Sequence, residues 1–314
     1  MAPRTPPAAL AALAIGRLLR LSLLPSALAD VAVGIVLGSR GEWPRGAAPW
    51  LAMGASLGVY HGALALNDWA DRASDARTRP DRPIPSGAVS EGAALSLALG
   101  LVAAGVASAF AVALPAGLWM GGVALAAVFY DLAGRGPWIG PALLGLCRYG
   151  NFAFGLCVPA WLAGAHPEPS RLAPAVLYGG YVFCVSRLAR LEDDEDPRPL
   201  GQRPRHYLLA ALACLVLVPF LPLADPGFSP GFLAALAAVV VGGRGLLQAA
   251  LGTREWTRAR VGQCTGMGLR RLLVFTAACA LLGLGWGPAP PIVAGLALAG
   301  YPASFALRRV FPPS

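Results

Sequence analysis

The forty residues APWLAMGASLGVYHGALAL and NDWADRASDARTRPDRPIPSG, running from Ala48 to Gly87, decide the fold. The first part is apolar over close to the roughly 20 residues that a helix needs to cross a bilayer. The second opens on Asn67 and holds Asp68, Asp71, Asp75 and Asp81 among Arg72, Arg77, Arg79 and Arg82. If the helix continues past Leu66, then Asn67, Asp71 and Asp75 recur every four residues and stack on one face, with Asp68 beside them. Like charges so stacked repel and need compensation. Mg²⁺ is the obvious candidate, a hard cation that takes carboxylate and amide oxygens and shares its remaining positions with phosphates. Arg77, Arg79 and Arg82 supply donors suited to phosphate oxygens. Carboxylates and arginines together at a membrane surface describe a site for a diphosphate headgroup. The plainer alternative is a loop whose charges pair among themselves.

The rest of the chain agrees with a membrane setting. Of 314 residues 56% are hydrophobic and 13% charged, with a mean hydropathy of +0.61. Those values exclude a soluble dinucleotide-binding enzyme, a disordered scaffold and a disulfide-stapled secreted domain. Apolar stretches fall at 21–39, 48–66, 92–113, 115–130, 140–163, 172–190, 206–224, 230–250, 268–286 and 290–307. They predict an all-α, polytopic transmembrane bundle of ten spans, or nine if the stretch at 230–250 or a short turn at 114 or 288 is re-entrant. The whole chain, 1–314, reads as one domain. Residues 1–20 form an N-terminal segment, and 67–91 and 187–205 form motif-bearing loops.

All 25 basic residues are arginine, so lysine chemistry is excluded. With a cytoplasmic N-terminus, 21 arginines lie inside, Arg40, Arg45 and Arg171 lie outside, and Arg148 lies within a span. That asymmetry puts the N-terminus and both acidic motifs on the cytoplasmic side. It ties the net charge of +9 to membrane lipid and not to a nucleic-acid partner. The run ending in Ser26-Ala27-Leu28-Ala29 imitates a signal-peptide cleavage site. The apolar stretch continues past Asp30, however, which predicts an uncleaved first span with that residue facing the bundle interior. The six cysteines have no C-x-x-C spacing and read as small core residues.

Asn67, Asp68, Asp71, Asp75, Arg82, Pro83, Ser86 and Gly87 match the pattern N-D-x-x-D-x-x-x-D followed by R-P-x-x-S-G, and here the chain resembles the UbiA superfamily of intramembrane prenyltransferases. The resemblance implies Mg²⁺-dependent transfer of a prenyl chain from a prenyl diphosphate to a hydrophobic, aromatic acceptor. Asn67, Asp68, Asp71 and Asp75 would hold the metal with help from a second acidic motif, and Asp71 and Asp75 would be central to catalysis. Tyr130, Asp131 and Arg135 match the family's tyrosine and basic positions after the fourth span. This implies a diphosphate contact for Arg135 and a hydroxyl or cation-facing ring for Tyr130. Arg77 and Arg82 join Arg135 as diphosphate contacts. In LGLCRYGNFAFG, which is similar to an EboC-like branch of the superfamily, Arg148 and Asn151 lie at membrane depth and are further candidates for binding the diphosphate. Arg148 alternatively snorkels to the headgroups.

The second motif departs from the family spacing. Within Glu192-Asp193-Asp194-Glu195-Asp196 only Glu192 and Asp196 keep a carboxylate pair at helical spacing, and Pro197 and Pro199 oppose helix there. This irregularity motivates a second reading, a non-catalytic relative that binds or moves a lipid-like or secondary-metabolite precursor. His61, in an apolar helix, reads as a hydrogen-bonded interior histidine.

Overall fold

The computed structural model describes residues 7–193, 199–221 and 229–311, and they form a helical bundle. Its elements are α1 (Pro7–Leu18), α2 (Leu24–Gly38), α3 (Ala48–Thr78), α4 (Glu91–Val112), α5 (Leu114–Leu132) and α6 (Ile139–Leu162), followed by α7 (Ala173–Asp193), α8 (Arg203–Val216), α9 (Pro230–Gly252), α10 (Arg258–Arg270), α11 (Leu272–Leu282) and α12 (Ala289–Val310). Helix starts follow local chemistry. The Ser90 hydroxyl accepts from Ala93 N at the head of α4, and Ser229 and Thr257 do the same for α9 and α10. Proline sits in the first turn of α2, α3, α5 and α8, where its missing N–H costs nothing. α3 ends at Thr78, and Arg79, the residue before Pro80, caps it with its N–H bonded back to Asp75 O.

Among the described residues, seven helical segments are long and apolar enough to cross a membrane: Leu21–Gly38, Glu91–Val112, Leu114–Leu132, Pro169–Glu192, Pro230–Gly252, Arg258–Leu282 and Ala289–Val310. The chain is an integral, multi-pass membrane protein. The expected stretches locate these helices, but not a count of nine or ten spans. α3 and α6 are 31 and 24 residues long, yet less apolar than the seven because they carry the polar residues of the site. α8 has 14 residues, about 21 Å of rise, short of a hydrocarbon core of about 30 Å. The expected span at 268–286 is the second half of a longer run that breaks between α10 and α11 at Arg271. The loops are also shorter than expected, since 67–78 continues α3 and 187–193 continues α7, while residues 7–18 of the N-terminal segment are helical.

The helices close into two lobes around one seam. α2 packs on α3, α6, α11 and α12, while α6 packs on α2, α5 and α7. One buried core lies among α2 to α6, centred on Val31, Ile35, Met120 and Phe154. The other lies among α2 and α6 to α12, with Tyr178, Tyr181 and Phe275 wholly enclosed. Glycines set the closeness of the α2–α6 crossing. A Cβ added at Gly34 would lie 2.7 Å from Phe152 O, and one at Gly155 would lie 2.6 Å from Val31 O. In lipid, where apolar surface gains little by leaving the solvent, such close backbone contact is a main source of helix association. Gly155→Ala is therefore expected to cost about 1–3 kcal/mol through overpacking. Gly121→Ala, where nothing lies within 4 Å, should be neutral. Thermal unfolding midpoints in detergent compare the two.

Candidate functional site

Because α3 runs unbroken to Thr78, the aspartates of the first motif lie on consecutive turns at one end of the bundle. The compensation they require is present in the protein itself. Arg20 Nη2 donates to Asp68 Oδ1 at 2.6 Å, and Arg82 Nη1 reaches Asp75 Oδ2 at 2.5 Å and Asp68 Oδ1 at 3.5 Å. Arg135 pairs with Asp71 and lies 3.9 Å from Asp131. Of these three arginines only Arg82 belongs to the same loop, so the charges pair mainly between segments. Asp68, Asp75 and Arg82 are buried, whereas Arg77 is exposed. Asn67 Nδ2 donates to Asp131 Oδ1 at 2.9 Å, leaving the amide oxygen for another partner.

The loop after α5 is anchored to bring Arg135 there. Arg190 Nη2 donates to Arg135 O at 2.7 Å. Arg187 stacks 3.8 Å from the Trp138 ring, donates to Pro137 O, and bonds Tyr207 Oη at 2.9 Å. The Arg135 guanidinium lies 5.9 Å from the centre of the Tyr130 ring.

Beneath this end lies a cavity of about 270 Å³. Arg20, Asn67, Tyr130 and Asp131 line it at the motif end. Its walls are apolar at Val59, Ala63, Leu64, Val123, Ala127 and Leu144. It extends along α3 to Tyr60 and Ser56, about three turns from Asn67. Arg148 and Asn151 line that deeper part, held by Asp30 of α2. Arg148 Nη1 donates to Asp30 Oδ2 at 2.6 Å, Asn151 Nδ2 to the same oxygen at 3.2 Å, and Tyr178 Oη to Asp30 Oδ1 at 2.5 Å. Arg148 Nη2 reaches Tyr60 Oη at 2.7 Å. Arg148 and Asn151 thus sit apart from the Arg135–Asp71 cluster in the chain's packing, and Arg148 turns inward to an acid instead of outward to headgroups. His61 is buried, with Nδ1 donating to Leu19 O at 2.7 Å.

The second acidic motif is only partly visible. Glu192, in the last turn of α7, places its carboxylate against Gly262 of α10. Asp196 lies outside the described residues. Among the described residues no three acid, histidine or cysteine side chains form a ready metal cluster. Mg²⁺ does not need one, since it binds through one or two carboxylates and completes its shell with water and phosphate. Asp68 Oδ2 is buried without a hydrogen-bond partner, beside the Asn67 amide on the adjacent position of α3, and both offer the hard oxygen donors Mg²⁺ takes. The residues present fit the cation.

An acid- and arginine-rich end over an apolar cavity thus characterises this polytopic membrane protein. The chain belongs to the UbiA prenyltransferase family, whose model matches residues 27–267. It is 36% identical over 114 residues to digeranylgeranylglyceryl phosphate synthase of Methanoregula boonei, covering 36% of this chain and 41% of that protein. It is 31% identical over 196 residues to the bacteriochlorophyll synthase 33 kDa chain of Cereibacter sphaeroides, covering 57% and 63%. The chain thus spans less than two thirds of these relatives. The fold matches a UbiA homologue from Archaeoglobus fulgidus bound to GPP and Mg²⁺, with a TM-score of 0.59 and 16% identity over 85% of this chain and 99% of that one. It also matches an apo UbiA homologue from Aeropyrum pernix K1, with a TM-score of 0.59 and 20% identity over 81% and 96%.

Several participants escaped sequence reasoning. Arg20 and Arg190 resemble ordinary positive-inside arginines, and only packing takes them to Asp68 and Arg135. Asp131 adjoins a motif tyrosine, but its bond to Asn67 crosses 64 positions. Asp30 was legible as an interior acid, though its partner Arg148, 118 residues away, was not. Asp30→Asn leaves the Arg148 charge buried and unbalanced, and is expected to cost about 3–5 kcal/mol. Adding Arg148→Met should recover most of that loss. Unfolding midpoints of the single and double variants test the pairing.

Proposed function

We propose that this protein transfers a prenyl chain from a prenyl diphosphate to a hydrophobic acceptor inside the membrane, in a Mg²⁺-dependent reaction whose donor headgroup binds at the cytoplasmic end. The observation that carries the proposal is the joining of the Asn67–Asp75 helix to Tyr130, Asp131 and Arg135 at one end of an apolar cavity. Asn67, Asp68, Asp71 and Asp75 would hold the metal, with Glu192 and Asp196 as a second acidic pair. Bound there, Mg²⁺ would supply positive charge to the diphosphate oxygens and stabilise the leaving group.

The chain's own residues then divide the work. Arg77, Arg82 and Arg135 offer planar donor forks to the diphosphate, for which Arg82 and Arg135 exchange part of their contact with aspartate. The allylic carbon–oxygen bond breaks with both electrons leaving on the diphosphate. The carbocation is captured by an electron-rich carbon or oxygen of the acceptor, which then loses a proton. The Tyr130 ring presents a π face suited to a cation. Val59, Ala63, Leu64 and Val123 exclude the water that would quench it. Arg148 and Asn151, tied to Asp30, form a polar wall deeper in the cavity where the substrate's uncharged part lies. An aromatic acceptor suits this chemistry because its ring electrons are available to the cation.

The test is diphosphate release by purified protein in lipid, with a panel of prenyl diphosphates and acceptors, with and without Mg²⁺. Release should require Mg²⁺. Asp71→Ala with Asp75→Ala should reduce it by at least about 10³-fold, a loss of roughly 4 kcal/mol of transition-state stabilisation, while circular dichroism stays unchanged. Retained turnover in that variant would sink the assignment. Binding of the donor without release across the panel would favour the non-catalytic relative.

A further inference from the structure

A second cavity, of about 70 Å³, lies between the start of α2, the end of α10 and the last turns of α12. Arg270 and Arg308 line it with the hydroxyl-bearing Ser26 and Ser304, and no acidic residue does. Tyr60 and Arg148 form part of its wall and also of the central cavity's. Arg270 and Arg308 differ from the arginines of the donor site and from Arg148. Arg20, Arg82, Arg135 and Arg148 each face a carboxylate, but neither Arg270 nor Arg308 has an ion pair among the described residues. Among the described residues Arg308 Nε is buried with no hydrogen-bond partner, and Arg270 has only the face of Phe305, 5.4 Å away.

Two guanidinium groups sharing a half-buried cavity repel, and burial adds to that cost unless an anion occupies the space. Guanidinium forks match phosphate oxygens, and serine hydroxyls add further donors. The position suits a lipid. The last helix ends beside α1, where Phe311 packs on Gly16, at the same end of the bundle as the Arg20–Asp68 pair. Leu269 on the rim and Phe305 beside it are 41% and 44% exposed. An acyl chain therefore finds exposed apolar side chains next to the charged pocket. Basic pockets between membrane helices are known receptors for anionic headgroups.

We infer that Arg270 and Arg308 bind the phosphate headgroup of a lipid, in a pocket separate from the donor site and sharing the Tyr60–Arg148 wall with the central cavity. The inference does not depend on prenyl transfer. Its test uses the full chain in phosphatidylcholine nanodiscs, titrated with short-chain phosphatidic acid or with inorganic phosphate and read by ligand-induced thermal shift. Phosphatidic acid should bind at least about tenfold more weakly to Arg270→Gln with Arg308→Gln, because two charge-assisted contacts are lost. The exposed pair Arg254→Gln with Arg309→Gln should bind it as the wild type does. Should the glutamine pair fail to fold, Arg270→Lys with Arg308→Lys keeps the charge but loses the fork, and binding should weaken by about threefold or more. Unchanged binding in the pocket variants, or equal loss in the exposed pair, overturns the site. Inorganic phosphate binding as tightly as phosphatidic acid overturns the lipid source.

Discussion

Asp30 and Arg148 meet at the seam on which both lobes depend. Their ion pair joins α2 to α6, the helices common to the two buried cores, at a level where Asp30 is wholly enclosed and water does not screen charge. Each group alone would be costly in that setting, and together they are tolerable because Tyr178 and Asn151 satisfy the remaining oxygen capacity of the carboxylate. Such a pair contributes register more than net stability. Farther along the same crossing, Gly34 and Gly155 let the backbones touch, and any rotation of α6 would break the polar contact and the glycine contact together.

The motif end of the bundle uses the same chemistry with different partners. Its carboxylates pair with Arg20, Arg82 and Arg135, which come from the start of the bundle, the loop after α3 and the loop after α5. A folded chain can thereby hold several aspartates near one another without collapse by repulsion. On the proposed function these pairs would exchange, because a diphosphate with its cation would offer the arginines and aspartates the partners they now give each other. Arg135 and Asp71 remain partly exposed, and this suits groups that change partners; Asp30 and Arg148 are more enclosed and suit a fixed role. The apolar cavity joins the two regions and separates the place where charge is handled from the place where a chain can lie.

Much of this was written along the chain. Apolar lengths locate nearly every helix, and the four-residue recurrence from Asn67 to Asp75 predicts the acidic face that α3 presents. The same pattern carries the family, because its residue types and spacings are local to one helix and the turn after it. The sequence also placed Asp30 inside, since an acid in an apolar run has nowhere else to go. It could not say which arginine serves which acid. Those pairings bridge 48, 64 and 118 positions, and their energy depends on distances that appear only when helices pack. Hydropathy alone does not fix the number of crossing helices, because α3, α6 and α8 trade length or apolarity for other roles. Local spacing sets the period of a helix, and so determined the elements and the motif face. Charge compensation, the cavity and the unpaired Arg270–Arg308 pocket are properties of surfaces brought together, and only the tertiary structure decided them.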